Sequence, residues 1–184
     1  MLKLKPLHLA TEKVQTLVIP VCEDERIHED DILVSLIDQA TSLPEFKGES
    51  DDEVVFYSPS GTAAERVIVM GLGKREKLEA ESFRKVCGKA VKHCLKKDLE
   101  SVLFAVPAEG KTDLAYPDLL KAMLEGACLA NHVFDRYKEE KDKKPLGEIG
   151  FRVNSEAAET HAQLPDQIMA VCTNFALRSG SPAR

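Results

Sequence analysis

Short apolar runs alternate along this chain with longer segments whose apolar residues recur every three or four positions. The run QTLVIPV stops at a cluster of acids and predicts a buried strand. DDILVSLIDQA follows with helical spacing, and Asp30 and Asp31 favour a helix start because acids stabilise a helix N-terminus. EVVFYSP and RVIVMGLG are strand-like, and the short polar link between them predicts a hairpin.

The same alternation continues beyond the hairpin. A helix with a clear apolar face is predicted from Phe83, followed by the strand SVLFAVP and a helix that begins near Pro117. A short strand around Ile149–Val153 and a helix from about Pro165 complete the pattern, and the stretch between them is predicted as a charged loop. This order predicts an α/β domain with a mixed sheet and helices on both of its faces.

Composition describes an ordinary folded protein. The 184 residues fit one domain, and 43% hydrophobic with 30% charged residues is typical of a globular chain. The net charge of −6 gives no general attraction to nucleic acid or to an anionic membrane. With no membrane-span pattern and no secretory signal, we expect a cytoplasmic protein that has neither a membrane nor a nucleic-acid partner. The five scattered cysteines are expected to be buried small residues in a reducing compartment.

The turn at Gly71 and Gly73 resembles the start of many nucleotide sites, but its neighbours do not fit one. Lys74 is followed by Arg75 where a phosphate loop needs Ser or Thr, and Glu76 stands where a dinucleotide site needs a third glycine. The sequence therefore favours a plain tight turn with a positive φ and no phosphate.

The helix that begins near Phe83 is strongly basic on the side opposite its apolar face. Such a face is usually solvated or paired with acidic surface, and binding of a polyanion is the open alternative. The residues that form it are Arg84, Lys85, Lys89, Lys92, Lys96 and Lys97.

The helix that runs from Pro117 to Lys138 carries apolar residues on more than one side, so we expect it to be covered on two faces. Gly126 lies in its interior, where glycine costs roughly 1 kcal/mol relative to alanine, and this predicts a tightly packed neighbour. We interpret Asn131 and His132 as structural residues, with a metal pair of His132 and Asp135 as the alternative.

The sequence offers few side chains that could form an active site. No Gly-x-Ser-x-Gly motif is present, and Ser58, Ser60 and Ser179 lie in predicted turns without a nearby histidine. The acidic runs EDERIHEDD and ESDDE are interpreted as solvated surface. The sequence thus predicts no catalytic, cofactor-binding or metal-binding residue in this chain.

Three segments taken in order, RVIVMGLGKREKLEAESFRKVCGKA, VLFAVP and EGACLANHVFDRYK, resemble the N-terminal domain of the leucyl aminopeptidase family, also called cytosol aminopeptidases. Asn131 and His132 depart from the pattern, because a tyrosine is common there. The likeness spans roughly residues 15–176. The matching positions are Gly71, Leu72, Gly73, Glu125, Gly126, Ala127, Phe134, Tyr137 and Lys138.

The resemblance implies a three-layer, macro-domain-like fold and a two-domain, homo-hexameric exopeptidase. Such enzymes remove N-terminal residues such as leucine from peptides with two divalent metals, which are zinc, manganese or magnesium. Their catalytic and metal-binding residues lie in a C-terminal domain around an Asn-Thr-Asp-Ala-Glu-Gly-Arg motif, which this chain lacks. We therefore expect an inactive macro-like domain over residues 1–163, and a helix and linker over 164–184 that would lead into a catalytic domain absent from this chain.

The partners implied by the resemblance are that catalytic domain, the other subunits and peptide substrates. Two alternatives from other functional classes stay open. One is a stand-alone macro-like module that binds ADP-ribose or another nucleotide near Gly71 and Gly73. The other is a regulatory domain that binds DNA through the lysine-rich helix.

Overall fold

Six strands form one mixed sheet in the computed structural model of the protein, which describes residues 1–136 and 144–178 without the side chains of 133–136 and 175–178. Their spatial order is β1-β6-β5-β2-β4-β3, and every neighbouring pair is parallel except the antiparallel β3 and β4. The predicted mixed sheet and hairpin are therefore confirmed. The strands are β1 Leu2–Lys5, β2 Val14–Val21, β3 Glu53–Tyr57, β4 Ala64–Gly71, β5 Ser101–Ala105 and β6 Glu148–Arg152.

Helices cover both faces of this sheet, as predicted. The side chains of β2 alternate, so that Leu17 and Ile19 pack in the cluster of α1 while Val18 packs in the cluster that contains the other helices. The result is a three-layer α/β arrangement. The helices are α1 Asp31–Thr41, α2 Ala80–Lys96, α3 Tyr116–Arg136, α4 Ser155–Thr160 and α5 Leu164–Arg178, and Arg75–Lys77 forms one 3-10 turn.

Two short elements were not predicted from the sequence. Strand β1 lies in a segment that shows no long apolar run, and its lysines Lys3 and Lys5 both pair with Glu148 of the neighbouring β6. Helix α4 falls in the stretch that we predicted as a charged loop, and that prediction was wrong. The side chain of Asn154 caps α4 by accepting a hydrogen bond from the Ala157 amide at 2.7 Å.

Helices α2 and α3 approach each other closely at Gly126. A Cβ added there would lie 2.3 Å from the carbonyl oxygen of Arg84 on α2, so only glycine fits. The side chain of Arg84 reinforces the contact with a 2.7 Å ion pair to Glu125. The predicted tight neighbour of Gly126 is therefore the backbone of α2.

Helix α3 is covered on two faces, as predicted, because α2 packs on one side and α5 on another. Ile168 and Cys172 of α5 are buried in the same core as α2 and α3. All five cysteines are buried with free thiols, which confirms their expected place in the core. The proposed domain boundary at residues 163 and 164 stays a prediction.

We predict opposite effects on stability for two alanine substitutions at this helix contact. Gly126→Ala should destabilise the protein by about 2 kcal/mol, because the new methyl group meets backbone that cannot move away locally. Gly88→Ala on α2 is the matched control. Its Cβ would lie 3.4 Å from the carbonyl oxygen of Gly126, an ordinary contact, so the higher helix propensity of alanine should stabilise the protein by up to about 1 kcal/mol.

Urea unfolding followed by circular dichroism measures both effects. Equal unfolding midpoints for the two variants would show that α2 and α3 do not touch at Gly126 as described.

Candidate functional site

In the turn after β4, three backbone amides already donate hydrogen bonds to carbonyl groups of the protein. The Gly71 amide donates to the Asp52 carbonyl at 2.9 Å, the Leu72 amide to Val21 at 2.8 Å, and the Gly73 amide to Gly48 at 3.0 Å. A phosphate loop needs free amides that point at the ligand, and these three are already bonded. The geometry therefore supports the plain turn.

The two glycines of this turn are needed for different reasons. Gly73 has a φ of +85°, as predicted for a tight turn. Gly71 is required by space instead, since a Cβ there would lie 1.9 Å from the carbonyl oxygen of Glu49. The backbone of residues 48–49 therefore passes directly over the end of β4.

Arg75 ties together the loops that follow three parallel strands. Its backbone amide donates to Asp24 at 2.9 Å in the loop after β2. Its guanidinium donates to the Lys111 carbonyl at 3.0 Å and to Asp113 at 2.8 Å in the loop after β5.

Ligands of open α/β sheets usually bind at this carboxyl edge. A cavity of about 470 Å³ lies there beside Leu72 and Gly73, with Lys74 and Lys77 in its wall, so the nucleotide-binding hypothesis stays open.

The acidic run EDERIHEDD, which we interpreted as solvated surface, is partly buried. Ile27 and His28 are 1% and 4% exposed. Asp30 caps α1 by accepting hydrogen bonds from the amides of Ile32 and Leu33, and it also pairs with Arg152 at 2.5 Å. The predicted helix start is confirmed. The carboxylates of Glu23, Asp24, Glu25 and Glu29 are exposed, as predicted, whereas Asp30 is half-buried.

His28 is a buried histidine that sequence reasoning missed. Burial lowers the pKa of His28 to about 4, so the ring is neutral near pH 7 and its Nε2–H donates to the Pro20 carbonyl at 2.7 Å. The role of this histidine is to hold the loop after β2 against the strand. No local signal in an acidic run could have identified it.

The basic face of α2 borders a surface groove of about 780 Å³ that reaches α3 at Gly126 and Ala130. Part of its charge is neutralised, because Lys89 pairs with Asp51 at 3.2 Å. The ring of His93 lies 2.9 Å from the carboxylate of Glu53. Four exposed lysines in the groove have no carboxylate within 4 Å among the described residues: Lys85, Lys92, Lys96 and Lys97.

The polar residues of α3 serve its packing. The amide group of Asn131 bonds to both the N–H and the carbonyl of Leu146, at 2.8 and 3.2 Å, so its role here is structural. His132 lines a small cavity, whereas the side chain of Asp135 lies outside the described residues, so the alternative metal pair is not addressed. Tyr137 and Lys138 also lie outside the described residues.

The described residues bring no three His, Cys, Asp or Glu side chains into a group that could hold a metal ion. The donor set in this part of the chain therefore does not fit a two-metal centre. In the same residues, none of the helices has the length and apolar character that crossing a bilayer requires.

We predict that acid destabilises the protein through His28. The unfolded histidine titrates near pH 6.5 and the folded one near 4, so below pH 6.5 the unfolded state binds a proton that the native state excludes. Stability should fall by roughly 3 kcal/mol between pH 6.5 and 4 from this group. Denaturant unfolding at several pH values should show a smaller loss for His28→Gln, which keeps an N–H donor but does not titrate.

His8→Gln is the control, because His8 is exposed and its replacement should leave the pH dependence as in the wild type. The same acid dependence in wild type and His28→Gln would contradict a buried, neutral His28.

Curated relatives of the chain are cytosol aminopeptidases. A probable cytosol aminopeptidase of Protochlamydia amoebophila is 29% identical over 137 residues, which are 74% of this chain and 27% of that protein. One from Aquifex aeolicus is 32% identical over 104 residues, which are 56% of this chain and 20% of that protein. The chain thus spans between a fifth and about a quarter of the length of these relatives.

Solved structures with the same fold belong to larger chains. A mutant of tomato leucine aminopeptidase matches with a TM-score of 0.70 at 16% identity and covers 94% of this chain and 36% of its own. The bottromycin maturation enzyme BotP matches with a TM-score of 0.59 at 18% identity and covers 92% of this chain and 33% of its own. At these identities the likeness shows the fold alone.

A family model also matches most of the chain. The model described as "Cytosol aminopeptidase family, N-terminal domain" matches residues 12–141, which run from the start of β2 through α3. These residues include the glycine turn, the basic helix and the Gly126 contact described above. The chain therefore belongs to the cytosol aminopeptidase family and represents its N-terminal domain.

Proposed function

We propose that this chain is the non-catalytic N-terminal domain of a cytoplasmic leucyl aminopeptidase. In this proposal it supports assembly of a homo-hexamer and access to the active site. The full-length protein would release N-terminal amino acids such as leucine from peptides by two-metal hydrolysis. The observation that carries the proposal is the family match over residues 12–141.

The cross-linked carboxyl edge of the sheet supports a structural role for the domain. Arg75 and Arg152 each join loops from separate strands there, and His28 is buried in the loop after β2. Loops bound to one another in this way suit a rigid body, as expected of a domain that contacts a catalytic domain and neighbouring subunits.

The proposal places the two metal ions outside the described residues. Two divalent ions need several carboxylate or histidine ligands that converge from different elements, and the described residues offer no such group. The zinc, manganese or magnesium of the full-length enzyme would therefore be held by the catalytic domain.

We predict that the purified 184-residue chain does not hydrolyse leucine p-nitroanilide in the presence of manganese. The reason is that the proposal assigns every metal ligand to the catalytic domain. Absorbance of released p-nitroaniline measures the activity, and a full-length cytosol aminopeptidase serves as positive control. Hydrolysis that EDTA abolishes and that co-purifies with the chain would overturn the non-catalytic assignment.

The source gene tests whether a catalytic domain follows this chain and whether the full-length protein forms a hexamer. Its sequence past the codon for Arg184, translated in all three frames, should contain an Asn-Thr-Asp-Ala-Glu-Gly-Arg segment. The protein encoded with that segment should release leucine and elute as a hexamer, and removal of residues 1–163 should lower the number of subunits per particle measured by light scattering. A hexamer of unchanged activity after this removal would contradict the role in assembly and access.

Polyanion binding is a second candidate, favoured by the four lysines without carboxylate partners in the α2 groove. Lys85, Lys92 and Lys96 recur at helical spacing on one exposed side of α2, so their charges can track a line of phosphates. The overall charge of −6 opposes general attraction, so any such binding must be local to the groove.

We predict that, if the groove binds DNA, Lys92→Glu weakens retention of a short duplex in a gel shift at low salt by about tenfold. Lys13→Glu is the matched control, since Lys13 is equally exposed but lies at the start of β2. No salt-sensitive retention of the wild-type chain, or equal effects of the two variants, would remove this candidate.

A further inference from the structure

Strand β3 forms one edge of the sheet. Strand β4 pairs with one of its sides, and no strand of the described residues pairs with the other. Its two end residues are exposed and its three middle residues are half-buried, as is usual for an edge. An edge strand presents backbone N–H and C=O groups that can pair with another chain. The sheet can therefore be extended at β3.

The hydrogen bonds at the two ends of β3 show which of its backbone groups point outwards. The carbonyl of Asp52 accepts from the Gly71 amide at 2.9 Å, and the amide of Ser58 donates to the Glu65 carbonyl at 2.8 Å. Alternate residues of an antiparallel strand bond to the same neighbour, so the even-numbered residues of β3 bond to β4. The residues whose backbone groups point away from the sheet are Glu53, Val55 and Tyr57.

The side chains of these three residues lie on the face of the sheet that α2 covers, because alternate side chains of a strand share a face. Val55 packs against the core cluster that contains α2, and the carboxylate of Glu53 lies 2.9 Å from the ring of His93 on that helix. Tyr57 is 68% exposed, one of the few large apolar side chains of the described residues that face solvent. The outward edge thus presents an acid at one end and an aromatic ring at the other.

Arg66 lies beside this ring, because it is the partner of Tyr57 on β4. Its Cζ is 5.2 Å from the centre of the Tyr57 ring, so the guanidinium leans towards the edge. Its Nε and Nη1 have no hydrogen-bond partner among the described residues, and no carboxylate of these residues lies within 4 Å of it. A guanidinium usually pairs with a carboxylate, so a carboxylate that reaches this edge would find a cation without a counter-charge.

We propose that β3 pairs antiparallel with β3 of a second copy of this chain, about a two-fold axis at Val55. In this register Glu53 lies opposite Tyr57 of the second copy, and its carboxylate faces the arginine that stacks on that ring. The symmetry repeats the contact, so each Glu53 meets the Arg66 of the other copy. The outward backbone groups form about six hydrogen bonds across the axis.

The charges of the edge select this register and favour a second copy as the occupant. An axis at Glu53 would place two carboxylates opposite each other, which is unfavourable, and an axis at Tyr57 would leave Glu53 without the arginine. An axis at Val55 satisfies both copies with one contact used twice, as two-fold interfaces do.

The association should be weak and dependent on concentration, because each copy contributes a strand of only five residues and carries a net charge of −6. The proposal does not depend on the aminopeptidase assignment.

Sedimentation of the 184-residue chain from about 10 to about 500 µM tests the pairing. We expect the average mass to rise towards that of a dimer. Glu53→Lys and Arg66→Glu each place like charges opposite each other at both contacts, so each should weaken self-association by at least about tenfold. An equimolar mixture of the two variants should dimerise again, because the new lysine of one copy then meets the new glutamate of the other.

Cysteine cross-linking tests the register. The Cα atoms of the two Val55 residues would lie about 5.5 Å apart, within the range of a disulfide. Those of the two Tyr57 residues would lie roughly 13 Å apart, because four residues separate them along the strand. Val55→Cys should therefore form a disulfide-linked dimer under mild oxidation, whereas the more exposed Tyr57→Cys is the matched control that should not. The five native cysteines are buried and do not compete.

Three results would overturn the proposal. One is a wild-type chain that stays monomeric over this concentration range. Another is a dimer that both charge variants retain, or that their mixture does not restore, since the contact would then lie elsewhere. The third is cross-linking of Tyr57→Cys as fast as that of Val55→Cys. Circular dichroism checks that each variant folds, and the cross-linking comparison decides the register even where Arg66→Glu does not fold.

Discussion

The close approach of α2 and α3 at Gly126 determines the arrangement of the whole helical layer on one face of the sheet. The carbonyl oxygen of Arg84 occupies the space where any side chain at position 126 would begin. With α3 held at this distance, its opposite side receives α5, and Asn131 reaches the backbone of Leu146. Leu146 lies two residues before β6, which pairs with both β5 and β1. The helix that meets α2 at Gly126 is therefore also hydrogen-bonded to the chain just before β6.

The opposite end of the molecule is organised by two arginines. Arg75 joins the loops after β2 and β5 to the turn after β4, while Arg152 at the end of β6 binds Asp30 and the Leu7 carbonyl. These bonds lie at the carboxyl edge, where α/β domains commonly bind ligands. The edge at which α/β domains bind ligands therefore also carries the connections that stabilise the loops of this domain.

The periodic part of the fold could be predicted from the sequence. Helices α1, α2, α3 and α5 and strands β2, β4, β5 and β6 each bury an apolar run long enough to show its period locally, and edge strand β3 has a half-buried one. Strand β1 has only four residues, and its partners lie some 145 residues away. The interactions that stabilise it therefore cannot be recognised from its own local sequence. Helix α4 depends on the Asn154 cap rather than on a long apolar face, and six residues show no clear period.

The candidate sites were harder to predict, because their properties depend on which distant groups lie beside each residue. The basic helix is evident from the sequence, but the sequence does not show which of its lysines have a carboxylate partner. Lys89 finds Asp51 in the loop before β3, 38 residues away, while Lys92 one turn later faces the open groove.

The cysteines show the same limit. All five thiols are buried, but Cys172 reaches the core only because α5 packs on α3. In both cases residue type sets the available chemistry, whereas long-range packing selects the residues that can use it.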